Sequence, residues 1–317
     1  MRTEMHKPII MTVDLEDWFQ VENLRSAYPH DSWNSCDLHV PLNTHVLLDI
    51  FDHYGVHATF FVLGWVAERC RGLVREIHTR GHEIASHGYS HRLLFDLPKG
   101  QLERELRTSK SLLEDITGAP VRGFRAPGFS VTDELLELLP DLGYEYDSSY
   151  NNIFLNKRCG KIDGWRVGPN GALTKGKIVE LSIRNLKIGP FTIPWGGGGY
   201  FRLFPPALFK RGVERILLEE APYVFYMHPW ELDSVQPRTR GIGRLNGFRH
   251  YVHLSDTFHR INYFFSGLKD CSFMGCHRYL HQPSVTPLPL QTAHTIKPAA
   301  FREMEDAGPM EQHEIHG

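Results

Sequence analysis

The 317-residue chain is poor in cysteine, has no long apolar run and has no charge excess of either sign. Its five cysteines (Cys36, Cys70, Cys159, Cys271 and Cys276) are odd in number and form no C-x-x-C pair. That excludes a disulfide scaffold and fits reduced thiols in a cytoplasmic protein. No apolar stretch approaches the ~18 residues that a membrane span needs. The opening apolar stretch, Ile9 to Val13, is too short for a signal-peptide core, and acids follow it at once. Lys plus Arg number 35 against 37 Asp plus Glu. A net charge of -2 argues against a chain that grips nucleic acid through its phosphates. There is no G-x-S-x-G elbow, and the glycines at 196–199 are followed by no Gly-Lys-Ser/Thr, so neither a serine hydrolase nor a phosphate loop is indicated.

What is present reads as alternating strands and helices. Strands are expected at Pro8–Val13, Ala58–Leu63, Glu83–Ser86, Val121–Phe124, Tyr144–Tyr146, Tyr223–Met227 and Ser272–Met274. Helices are expected from Leu42 to Phe51 with Gly55 as stop, at Val66–Thr79, Pro98–Thr117, Thr132–Leu142 and Pro206–Glu219, and near Leu254–Leu268. Short apolar strands between helices predict an α/β fold with a parallel sheet covered by helices. The segment from Asn151 to Gly199 is less regular. Residues 1–281 read as one domain with its core at about 8–275. Residues 282–317 lack apolar periodicity and read as a disordered tail.

Polar residues of catalytic type fall just after the strands, where sites gather in parallel α/β folds: Asp14, His87, Arg125, Asp147 and His228. The chain has 19 histidines, so about one H-x-x-x-H pair is expected by chance. Three such pairs lie in its N-terminal third: His53/His57, His78/His82 and His87/His91. Only the last sits in a small-residue segment just past a strand. Asp14, Glu16 and Asp17 crowd the end of the first strand, where buried carboxylates need compensation. Their bland reading is a solvated loop start with a helix cap. Their sharper reading is one carboxylate holding a divalent metal with His87 and His91, and a second acting as base on a bound water. Arg125 could clamp that base, and His228 suits a general acid. Asp147 is placed to orient one of these groups. Trp195 and Tyr200, flanking the glycine run, could stack a sugar ring against an open backbone surface.

Taken in order, these segments resemble the polysaccharide deacetylase family, carbohydrate esterase family 4. The similar stretches are Thr12-Val13-Asp14-Leu15-Glu16-Asp17, Ser86-His87-Gly88-Tyr89-Ser90-His91, Arg125-Ala126-Pro127-Gly128-Phe129 and Phe225-Tyr226-Met227-His228-Pro229. Val-Asp-Leu-Glu-Asp-Trp-Phe and Gly-Gly-Gly-Tyr-Phe-Arg look like the branch encoded with exopolysaccharide and exosortase loci. The resemblance implies a distorted, incomplete (β/α) barrel and metal-dependent hydrolysis of N-acetyl groups from amino-sugar polymers, with zinc as the expected ion. It implies Asp14 as base, oriented by Arg125, and His228 as acid. His87, His91 and an acid would be the metal ligands, Asp17 favoured over Glu16. Pro127, Trp195 and Tyr200 are the residues expected towards the substrate. The family motif has two adjacent aspartates, whereas Leu15 and Glu16 here separate Asp14 from Asp17. Two other readings stand beside this one: a cyclic-amide hydrolase on the same scaffold, and a non-catalytic carbohydrate-binding relic.

Overall fold

A computed structural model describes residues 8–151, 162, 164–168, 171–219 and 222–281. The expected tail and Cys159 lie outside these residues. Among them, no helix is long and apolar enough to cross a membrane.

The apolar run at the start forms β1 (Pro8–Leu15), buried over seven of its eight residues. It is the middle of a sheet, because both faces and both edges are covered. On one side β1 pairs in parallel with β11 (Tyr223–Met227), while β12 (Ser272–Met274) pairs in parallel with the first residues of β1, Pro8–Ile10, on the opposite edge. On the other, parallel pairing runs through β2 (Thr59–Val62), β3 (Glu83–Ser86), β4 (Gly123–Phe124), β5 (Tyr146–Asp147) and β8 (Ile178–Glu180). The antiparallel β7 (Leu173–Lys175) and β6 (Arg166–Val167) complete that path, and β9 (Leu186–Ile188) pairs with β10 (Phe191–Ile193) in a separate hairpin. The parallel run with outer helices is the expected incomplete barrel; the described strands do not close it.

The crossovers follow the predicted pattern. α1 (Val40–Tyr54) ends at Gly55, whose φ of 62° is the left-handed cap that a glycine permits without strain. α4 (Lys99–Thr117) and α5 (Asp133–Asp141) lie where periodicity puts them, and Thr132 caps α5 by accepting from the Leu135 amide. The helix expected over 66–79 is instead two. α2 (Gly64–Arg69) and α3 (Arg71–Thr79) meet at Cys70, whose φ/ψ of -120°/44° break the ladder. α7 (Pro206–Ile216), α9 (Thr257–Gly267) and the final α10 (Cys276–His281) complete the outer layer.

α10 was not expected, nor were two further helices. α8 (Arg244–Tyr251) is one, and α6 (Gly198–Leu203) grows directly out of the glycine run. Between β1 and α1 the chain makes three short 3-10 turns over Trp18–Gln20, Glu22–Leu24 and His30–Ser35. Edge-to-face packing of Phe19, Trp33 and Trp65, with ring centres 5.5–6.0 Å apart, pins that segment to the core beside the carboxyl ends of the strands.

Candidate active site

The carboxyl ends of β1, β3, β4 and β11 bring Asp14, His87, Arg125 and His228 together. Arg125 is fully buried and every arm of its guanidinium is occupied. Nη1 donates to Asp14 Oδ1 at 2.7 Å and to Thr12 Oγ1 at 2.9 Å. Nε and Nη2 donate to the Ser148 carbonyl and hydroxyl, and the Phe61 ring lies 4.2 Å beneath. Asp14 is therefore held in one orientation, with its second oxygen facing away from the arginine.

Glu16, His87 and His91 form a second buried group, their ligand-type atoms all within 4.8 Å of one another. The Arg125 carbonyl accepts from His87 Nδ1 at 2.8 Å, which fixes the tautomer and leaves Nε2 with a free lone pair. His91 reaches the group from a left-handed backbone (φ 55°), a conformation that costs a non-glycine residue energy. Gly88 turns the chain ahead of it at φ 72°. The Glu105 carboxylate holds this turn by accepting from the Tyr89 and Ser90 amides and the Ser90 hydroxyl.

The fit of this group to a metal rests on Glu16. Its Oε2 is buried and lies 2.7 Å from His91 Nε2, yet has no partner in hydrogen-bonding geometry. Two imidazoles and a carboxylate converging without such a bond suit a divalent cation with open positions for water. Burial would raise the Glu16 pKa, but His91 and His228 overcome this and bring it down to about 2, so it is ionised. Burial and His91 lower His87 to about 4, against the pull of Asp14 and Glu16, so that imidazole is neutral, as a ligand must be.

Asp17 has a different position from the one expected. One of its oxygens accepts from the Trp18 amide at 2.8 Å and the other from the His39 and Val40 amides, each at 2.9 Å. It caps a 3-10 turn and stitches the start of α1 to the end of β1. Glu16, carried past a strand that runs on through Leu15, takes the position by the histidines.

His228 closes the cluster. Its Nε2 is 3.2 Å from Glu16 Oε1 and 3.9 Å from Asp14 Oδ2. Its Nδ1 is 2.6 Å from Glu231 Oε1, while Glu231 Oε2 accepts from Arg202 Nε at 3.0 Å. Burial would lower the His228 pKa, but Glu16, Glu231 and Asp14 outweigh it and raise it to about 9. Neither Glu231 nor Arg202 figured among the expected site residues. The sequence cue was present: His228-Pro229-Trp230-Glu231 puts an acid three residues after a histidine, the spacing of a capping box.

Other expected residues fall further out. Asp147 accepts from the Ser149 amide and hydroxyl, and Ser149 Oγ accepts from the Ala126 amide. It therefore supports the Arg125-Ala126 backbone and orients neither Asp14 nor His228 directly. Pro127 is buried beside Gly88 and backs the histidine turn. Trp195 is a core residue. It is 2% exposed, donates from Nε1 to the Phe209 carbonyl, and stacks between Phe204 and Phe209 at 4.5 and 5.3 Å. Tyr200, half-buried, extends the same stack onto Phe204. The glycine run is a backbone contact too: a Cβ on Gly197 would lie 1.9 Å from the Tyr226 carbonyl oxygen. An open pocket of about 340 Å³ lies elsewhere, lined by His91, Ser90, Arg92, Arg25 and Tyr28 among others.

Residues 31–146 match the model described as polysaccharide deacetylase, and residues 148–281 match a domain of unknown function (DUF3473). A peptidoglycan-N-acetylglucosamine deacetylase of Bacillus cereus is 30% identical over 160 residues, covering 50% of this chain and 68% of that one. This chain belongs to the polysaccharide deacetylase family. A peptidoglycan deacetylase of Helicobacter pylori is 35% identical over 51% of this chain and 55% of its own length. A chitooligosaccharide deacetylase of Sinorhizobium fredii is 32% identical over 32% of this chain and 48% of its own. The matches thus span about half to two-thirds of these relatives. Among solved structures, a putative polysaccharide deacetylase from Mycobacterium smegmatis shares the fold over 93% of this chain and 96% of its own, with a TM-score of 0.55 at 21% identity.

Proposed function

We propose that residues 1–281 form one catalytic domain that hydrolyses N-acetyl groups of amino-sugar residues in a polysaccharide or its precursor, in exopolysaccharide biosynthesis. The observation that carries this reading is the single buried cluster uniting Asp14–Arg125, Glu16–His87–His91 and His228–Glu231. Its three parts supply a base, a metal site and an acid, the set that amide hydrolysis by water needs. The deacetylases named above support the acetamide as the bond cleaved.

Glu16, His87 and His91 would hold the ion, zinc by preference for this mixed nitrogen and oxygen set. When bound, a divalent ion supplies Lewis-acid polarisation of the acetyl carbonyl and a more acidic water. Asp14, oriented by Arg125, takes the proton as the water oxygen bonds to the acetyl carbon. His228, oriented by the Glu231 carboxylate at its other nitrogen, gives a proton to the nitrogen as the C–N bond breaks. Acetate and the free amine are the products. The pocket beside His91 is the open approach for a flanking sugar.

Acetate release from a panel of N-acetylated oligosaccharides, with cyclic ureides as controls, tests the reading. Turnover of N-acetylated sugars that Asp14→Asn abolishes is the expected result. Turnover of the ureides alone would transfer the site to cyclic amides, and turnover of neither with metal bound would leave a binding protein.

A further inference from the structure

A fourth H-x-x-x-H pair, His277 and His281, lies on α10, one helical turn apart on one face. Their ring centres are 4.2 Å apart. Glu145, which precedes β5, comes to meet them: its Oε2 is 3.6 Å from His281 Nε2. The ligand-type atoms of Glu145, His277 and His281 lie within 4.8 Å of one another. Among the described residues, this and the active-site trio are the two groups with that geometry.

The surroundings differ in kind from the active site. The Cys276 amide donates to Thr59 Oγ1 at the start of β2, and the His277 amide donates to Glu83 Oε2 at the start of β3. α10 is therefore fastened at the amino ends of the strands, across the sheet from Asp14 and His228. Residues at that end of such folds serve stability rather than chemistry. Glu145 is also oriented: its Oε1 accepts from Arg122 Nη1 at 2.6 Å, which turns Oε2 towards His281. A cavity of about 120 Å³ lined by His78, His82, Arg122 and His277 adjoins the group.

We propose that Glu145, His277 and His281 form a second metal site that ties α10 to the start of β5 and takes a borderline divalent ion such as zinc. Two imidazoles and one carboxylate, with no thiolate, select for zinc and its first-row neighbours over calcium or magnesium. Three protein ligands, partly exposed, leave water to complete the shell. Because this end of the sheet carries none of the proposed catalytic groups, the inference stands apart from the proposed activity.

The test is zinc stoichiometry on tag-free full-length protein, stripped with chelator and equilibrated with Zn²⁺ alone. The His87→Ala/His91→Ala variant is expected to retain one ion per chain. Adding His281→Ala or Glu145→Gln, both at exposed side chains, should weaken that ion at least tenfold. The same two changes should abolish the rise in Tm that zinc gives the His87→Ala/His91→Ala protein, and in the wild-type background should leave acetate release unchanged. No zinc on the His87→Ala/His91→Ala protein, or zinc held equally well after Glu145→Gln and His281→Ala, would overturn the proposal.

Discussion

His228 and Glu231 face each other across one 3-10 turn, Nδ1 to Oε1 at 2.6 Å, and Glu231 is itself clamped by buried Arg202. The pair fixes which nitrogen of His228 looks into the cluster. Glu231→Gln keeps the shape but removes the charge that orients and protonates the ring. We expect kcat to fall about 100-fold or more with metal content and KM little changed. Arg202 would be left buried without its counter-charge, so stability should fall by about 3 kcal/mol. Unchanged kcat in a folded Glu231→Gln protein would show that His228 needs no such partner.

Glu16 and Asp17 make opposite predictions. Glu16→Gln should cost the metal, since Glu16 is the carboxylate beside His87 and His91. Asp17→Asn should keep the metal and lose stability, by about 1–3 kcal/mol, because an amide cannot accept all three backbone bonds that the carboxylate accepts. Asp14→Asn should keep both metal and fold while kcat collapses by about 10²–10⁴-fold. Metal analysis and urea midpoints on the three variants separate the roles; a metal-free Asp17→Asn protein would reinstate Asp17 as ligand.

Trp195 supplies a third check. Stacked between Phe204 and Phe209 and bonded to a helix carbonyl, it contributes packing. Trp195→Ala should destabilise the chain by about 3–5 kcal/mol. The residual folded enzyme should bind oligosaccharide as before. A raised KM at unchanged stability would return this tryptophan to the substrate surface.

These cases mark where sequence reading succeeds and stops. The apolar runs that become β1, β2, β3 and β11 declare themselves, and with them the strand ends that gather Asp14, His87, Arg125 and His228. The break falls on Cys70 itself, with Gly72 two residues on inside α3, so one periodic stretch reads as a single helix. Choosing between Glu16 and Asp17 depends on where β1 ends, and one residue of extension reverses the choice. Asp17 did carry a signal, because Asp17-x-x-Gln20 is a capping box. Trp195 and the glycines were misread for the opposite reason: exposure is a tertiary property, and only the approach of β11 reveals why the backbone there must be bare.

The charge on His228 should be visible in the stability of the metal-free protein. Burial opposes that charge, but Glu16, Glu231 and Asp14 raise the folded pKa to about 9 from 6.5. A histidine whose pKa rises on folding binds its proton more tightly in the native state. Its contribution is therefore fully present below pH 6.5 and is lost as pH climbs through about 9. The difference between urea unfolding curves of wild-type and His228→Gln apoprotein isolates this term from titrations common to both. That difference should shrink by about 3 kcal/mol between pH 6 and 10, an upper figure because the side chain is 16% exposed. Zinc should reduce the slope, since a cation on Glu16 neutralises the charge that does most to hold the proton on His228. A difference that stays flat across this range in the apoprotein would mean that His228 is neutral at working pH, and a proton for the leaving amine would have to come from another group.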